Sequence, residues 1–273
     1  MKIKKIKKFF LFFYCLFFSS LSYSSITEKT IFIPCEVKVC NPKKGSTETV
    51  WYYQTQGDKN KPALIWYSGG NGHYTNIDYQ PIKLLKGKFD IIMVATPIPI
   101  TTNSNKGFPT NAYNKAVVYR MKQASQYYKK LLGKDIWLGG ISSGGPRMIG
   151  ALSGDEKDRP SDLYAGLIFA SPYVANGDGD MHISTYKIKY KMNLPILIIQ
   201  HSRDHKPAQH PRVQKLFKKR LAKKNSGVTE LKLLVEGNKK VTYEDCCHHR
   251  FEYNKPEVAR IVSNFISKHS LDR

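Results

Sequence analysis

Residues 138–148 read LGGISSGGPRM, two serines set between two pairs of glycines. A serine hydroxyl becomes chemically useful at a sharp strand-to-helix turn, which needs tiny residues two positions either side because strand and helix pass close together there. Around Ser142 the frame Gly140-Ile141-Ser142-Ser143-Gly144 fits G-x-S-x-G, whereas two positions before Ser143 stands Ile141, which does not fit. The expected nucleophile is therefore Ser142. The five-residue pattern alone arises by chance in roughly one chain in ten of this length. Its weight comes from its flanks: DIWLGG before it reads as a buried strand, and SGGPRMIGALSG after it has the small and apolar residues of a helix.

A hydroxyl is a poor nucleophile until a base takes its proton, and the base needs an acid to orient it. Of the eight histidines, His249 is the chosen base, because CCHHRF falls between the last strand pattern and the last helix pattern, well after Ser142. Its neighbour His248 stays open as the alternative, since periodicity cannot separate adjacent residues. For the acid, PILIIQHSRDHKPA puts Asp204 just past the end of a buried strand, between nucleophile and base in chain order. Asp178 and Asp180 in NGDGDMH are the alternatives, while Glu244 and Asp245 lie too close along the chain to His249. The run Cys246-Cys247-His248-His249 is dense in metal-ligand types, yet four consecutive side chains cannot converge on one ion and structural zinc sites space their cysteines. No metal site is expected.

Elements must position these groups. Short continuous runs rich in branched or aromatic residues predict buried strands at 49–55, 63–68, 89–95, 135–140, 164–170, 195–200 and 231–237. Such runs imply strands covered on both faces. Between them, Tyr113, Val117, Met121, Ala124, Tyr128 and Leu131 recur at three- and four-residue steps, which predicts a helix over 111–132 with Gly133 as its stop. In NKPEVARIVSNFISK, Asn254 can cap, Pro256 sits in the first turn, and Val258, Ile261, Val262 and Phe265 form one apolar stripe. Strands alternating with helices predict an α/β fold with a mostly parallel sheet and helices on both faces. In such a sheet, reactive groups collect in loops at the carboxyl ends of the strands.

The elbow around Ser142, followed in chain order by Asp204 and His249, resembles the α/β-hydrolase superfamily from about Thr49 onward. The resemblance implies an eight-stranded type of sheet and a glycine-rich oxyanion loop after an early strand. YSGGNGH at 67–73 fits that loop, with Ser68 where relatives often carry histidine. By this matching the backbone N–H groups of Gly70, or Asn71 as its fallback, and of Ser143 would hold the oxyanion. The surroundings of His249 resemble the His-Gly-Phe of many bacterial relatives, except that Arg250 replaces the glycine and puts a cation beside the base. The resemblance implies a serine hydrolase of esters, on a small-molecule ester or acyl substrate and with no cofactor. A serine peptidase or amidase on the same scaffold is the alternative, and a non-catalytic envelope-binding protein a third reading. The only sizeable insertion, 171–193, is too short for a large cap domain.

Composition bounds the rest. The 273 residues are 41% hydrophobic and 12% aromatic, ample for one large core. The start has five lysines in its first eight residues, ten apolar residues from Phe9 to Phe18 and then serines. That is a signal-peptide layout, and the apolar run falls short of the roughly 20 residues a spanning helix needs. We therefore expect a signal peptide at 1–24, a single domain at 25–273, and a secreted or periplasmic protein. The formal charge is +23, and taking away the five leader lysines leaves +18. Such a surface would attract anionic cell-envelope polymers or lipids, whereas nucleic acid is not expected without a binding motif. Of the four cysteines beyond the leader, Cys35 and Cys40 could close a local disulfide loop.

Overall fold

The computed structural model describes residues 25–34, 46–54, 61–69, 77–95, 115–174, 188–204, 210–235, 251 and 254–270. Among these, eight strands form one sheet: β1 (Ile26–Pro34), β2 (Ser46–Gln54), β3 (Ala63–Tyr67), β4 (Asp90–Val94), β5 (Ile136–Ile141), β6 (Gly166–Ala170), β7 (Ile196–His201) and β8 (Thr229–Leu234). Their spatial order is β1-β2-β4-β3-β5-β6-β7-β8. β1 and β2 run antiparallel to their neighbours, and every pair from β4 to β8 is parallel. The seven expected strands are present, and the sheet is mostly parallel as expected.

Side chains alternate across this sheet with period two. In β3, Ile65 and Tyr67 join one core while Leu64 and Trp66 join the other. The first core is roofed by α1 (Lys115–Leu132), α2 (Gly144–Leu152) and α3 (Pro211–Lys224), through residues such as Met121, Tyr128, Met148, Ile149 and Phe217. The second is covered by α4 (Lys255–Ser270) and by two short 3-10 turns, Ile77–Tyr79 and Pro81–Leu85. Helices on both faces keep the central strands dry, which is why β3, β4, β5, β6 and β7 are buried along their whole length.

The edges depart from that expectation. β8 has a strand neighbour on one side only, and its Lys232 and Leu233 are exposed. β1, at the other edge, pairs with β2 along its whole length, from Ile26 opposite Gln54 to Pro34 opposite Ser46. The sequence reading had no strand there, because ITEKTIFIP lacks a continuous apolar run; Ile33 is its one fully buried side chain. α1 differs by one position at its end: Leu131 is exposed and Leu132 packs against the core. Gly133 ends that helix at φ +60°, with its N–H bonded to the Lys129 carbonyl, a left-handed stop that glycine adopts at little cost. Asn254 precedes α4 and accepts the Val258 N–H at its carbonyl, while Val258, Val262 and Phe265 are buried as expected.

No helix among the described residues is long and apolar enough to cross a membrane. No separate cap domain is present among them either, and 175–187 of the insertion lie outside them. Residues 1–24 and the cysteines Cys35, Cys40, Cys246 and Cys247 also fall outside.

Candidate active site

β5 and α2 meet with only Ser142 and Ser143 between them. Ser142 has φ +55°, a left-handed conformation that a non-glycine residue holds at a cost of about 1–3 kcal/mol. Three backbone bonds offset it. The Ser142 N–H donates to the Ala170 carbonyl at 3.0 Å, and the Ser142 carbonyl accepts from Gly145 at 3.0 Å and Tyr173 at 2.9 Å. The ends of β5 and β6 and the first turn of α2 thus hold one residue in a turn that its own backbone disfavours.

The glycines around it are required by space. A β-carbon on Gly144 would come within 2.3 Å of the Tyr67 carbonyl oxygen, and one on Gly140 within 3.0 Å of Gly144. These are the two positions of the G-x-S-x-G frame, and both face the end of β3. On the other side of the turn, a β-carbon on Gly145 would strike Pro172 at 2.6 Å. Pro172 is itself held through its carbonyl by Gln214 Nε2 of α3, at 3.0 Å.

The carboxyl end of β3 lies directly against the turn. A β-carbon on Gly69 would sit 2.8 Å from Ser142 Cβ and 3.5 Å from Ser142 Oγ. Gly69, the first glycine after β3, therefore lies beside the Ser142 side chain. Of its expected oxyanion donors, Ser143 is described and stands at the start of α2 in helical conformation, whereas Gly70 and its fallback Asn71 lie outside the described residues.

Asp204 follows β7 by three residues and is 2% exposed. Its Oδ2 accepts a 2.9 Å hydrogen bond from Gln200 Nε2, and its N–H donates to the His201 carbonyl. A carboxylate buried in this way keeps one orientation, which is what a group that aligns an imidazole must do. His249 and its alternative His248 lie outside the described residues, as do Asp178 and Asp180. Phe251, just after them, is fully buried at φ +58° and carries the chain into the turn before α4. Among the described residues, no three metal-ligating side chains cluster.

Two polar residues of the site were not singled out from the sequence. Gln200 reads as the interior of a strand, and a carboxylate four residues later was the one available hint. Arg147 lies in α2, a helix whose nine residues are all buried, and its guanidinium reaches the Ser68 carbonyl at 2.7 Å and Ser143 Oγ at 3.3 Å. Burial brings its pKa down to about 10, so it remains a cation at neutral pH.

Solved structures share this fold. A bacterial brefeldin A esterase, described as a homologue of human hormone-sensitive lipase, superposes with a TM-score of 0.62 at 14% identity, over 93% of this chain and 80% of its own. Dienelactone hydrolase from Anabaena variabilis gives 0.55 at 12%, over 89% and 98%. The chain has the α/β-hydrolase fold. Oligopeptidase B from Leishmania major shares the hydrolase fold with a TM-score of 0.56 at 12% identity, over 92% of this chain but 38% of its own. No protein-family model matches the sequence, and no curated protein matches it.

Proposed function

We propose that this chain is a serine hydrolase that cleaves carboxylic esters through an acyl-enzyme. The observation that carries the reading is Ser142 itself, held at φ +55° between β5 and α2 with Gly69 against its side chain. Strain of this kind persists where the surroundings over-determine it, and a hydroxyl lifted out of a strand-to-helix turn is placed for attack.

In the proposed reaction His249 takes the Ser142 proton as Oγ bonds to the ester carbonyl carbon, and Asp204 holds the imidazole tautomer. The N–H groups of Ser143 and Gly70 receive the oxyanion, a contribution worth about 10²–10³ in rate per donor. The carbonyl re-forms as the alcohol leaves with the proton from His249. Water, deprotonated by the same histidine, then attacks the acyl-enzyme and releases the acid, returning the proton to Ser142. No cofactor enters these steps.

Ester rather than peptide cleavage is supported by where the likeness falls. The esterase and dienelactone hydrolase are matched over most of their length, whereas oligopeptidase B and a prolyl endopeptidase are matched over 38% and 39% of theirs. The short insertion at 171–193 favours soluble esters over long lipids. We also propose that 1–24 directs export and that the basic surface meets anionic envelope polymers or lipids, both readings resting on the sequence alone.

The deciding experiment is fluorophosphonate labelling of the mature chain beside Ser142→Ala, with the modified peptide mapped. Labelling at Ser142 that disappears in the variant, followed by turnover of short-chain esters, is the expected result. A folded wild-type protein that takes no label would overturn the hydrolase reading in favour of a binding protein. Hydrolysis that rose only with long acyl chains would overturn the short-ester assignment.

A further inference from the structure

Arg147 is the most completely buried guanidinium among the described residues, at 1% exposure. Removing a cation from water costs several kcal/mol, and an apolar side chain would suit the inside of α2 better. One nitrogen of the guanidinium, Nη1, meets two oxygens: the Ser68 carbonyl just past β3, at 2.7 Å, and the Ser143 hydroxyl at the head of α2, at 3.3 Å. Those two residues belong to the two segments that flank Ser142. Ser143 follows it in the chain, and Ser68 precedes Gly69, whose β-carbon position lies 2.8 Å from Ser142 Cβ.

We propose that Arg147 is a positioning residue for oxyanion stabilisation, a clamp that fixes the end of β3 against the head of α2 on either side of the nucleophile. The proposal rests on the serine-hydrolase reading and adds to it the residue that sets the gap between the two oxyanion segments. The geometry explains why a donor is needed there. The Tyr67 carbonyl already abuts Gly144, and the Ser68 carbonyl lies 3.4 Å from a β-carbon position on Gly144, so two peptide oxygens crowd the first turn of α2. A donor reaching back from Arg147, one turn into the helix, draws the second of them onto α2 and thereby sets the direction in which Gly69 leaves the strand. The charge-assisted bond is short, as such bonds are. Arg147 touches no substrate in this account and acts through the peptide of Ser68 and through Ser143.

The test compares wild type, Arg147→Met and Arg147→Lys on one short-chain ester, with kcat and KM measured separately. The affinity for a trifluoromethyl ketone, which mimics the tetrahedral intermediate, is measured beside that for the product acid. Arg147→Met should lower kcat and ketone affinity together by about 10²-fold, the loss typical of an angstrom-scale misplacement at a reacting centre, with KM and product affinity little changed. Arg147→Lys, which keeps a cationic donor within reach of the Ser68 carbonyl, should recover most of both. A folded Arg147→Met with wild-type kcat, or an Arg147→Lys as impaired as Arg147→Met, overturns the clamp. Should Arg147→Met fail to fold, Ser143→Ala carries the test, because it removes one arm and leaves the main chain intact: parallel losses in kcat and ketone affinity support the clamp, and unchanged values overturn it. An inactive, unlabelled wild type would be the failure of the hydrolase reading, a result separate from these.

Discussion

Gly69 and Ser142 occupy one another's space: a β-carbon on the glycine would lie 2.8 Å from Ser142 Cβ, inside van der Waals contact. Gly69→Ala therefore has to move either the end of β3 or the turn that carries Ser142. Because Ser142 is fixed by bonds to Ala170, Gly145 and Tyr173, the softer response is a shift of the β3 end, which also leads to the proposed oxyanion donor. The expected outcome is a fall in kcat of about 10²-fold. Overpacking should cost about 1–3 kcal/mol of stability. Ester kinetics and a denaturant melt on the same preparation check both, and full activity in the alanine variant would refute the contact.

Gln200 and Asp204 form a second pair whose disruption can be read separately. The Nε2 to Oδ2 bond of 2.9 Å restrains the carboxylate within a buried pocket at the end of β7. Asp204→Asn should lower kcat by about 10⁴-fold, because an amide orients the wrong tautomer of the base. Gln200→Leu leaves the charge and removes one restraint, so its loss in kcat should be much smaller. Equal losses in the two variants would show that Gln200 does more than orient the acid.

These contacts mark what a sequence can and cannot disclose. Ser142 was legible because three local signals agree over a dozen residues: a buried strand, a tight G-x-S-x-G frame and a small-residue helix. The position of Asp204 at the end of β7 was legible because it lies three residues past that strand, close behind its apolar run. Arg147 was not, since a lone arginine in SGGPRM reads as a solvated charge, and what buries it is the end of β3, 79 residues away. β1 was missed for a related reason. An edge strand needs only Ile33 in the core, and its Glu28 and Lys29 erase the apolar run that identified the central strands. Leu131 was assigned to the wrong face of α1 because a one-position slip near a helix end leaves the three- and four-residue spacing almost unchanged.

Alkaline pH should unfold this chain steeply, and the sign follows from buried phenols. Burial pushes Tyr128 up to about 12, partly offset by its hydrogen bond with Thr49, and it also raises Tyr67 and Tyr164 well above the usual phenol value. Above pH 10 the unfolded chain loses these protons while the folded chain keeps them, so stability falls by about 1.4 kcal/mol per pH unit for each such tyrosine. Arg147, Arg120 and Lys122 act in the opposite direction, because burial lowers their pKa values and the folded state releases those protons before the unfolded one, but Tyr52, Tyr173 and Tyr190 are raised as well, so the phenols outnumber them. Denaturant melts from pH 8 to 11.5 should show this decline, and Tyr128→Phe should make it shallower. A slope unaffected by that substitution would place the titration elsewhere.

The base is the member of the site that two adjacent residues, His248 and His249, compete for. Single substitutions at each position separate their roles. His249→Ala should abolish ester turnover and fluorophosphonate labelling alike, since both require Ser142 to give up its proton, while His248→Ala should retain most of each. Activity that survives in His249→Ala and vanishes in His248→Ala would transfer the role by one residue and leave the rest of the proposed reaction unchanged.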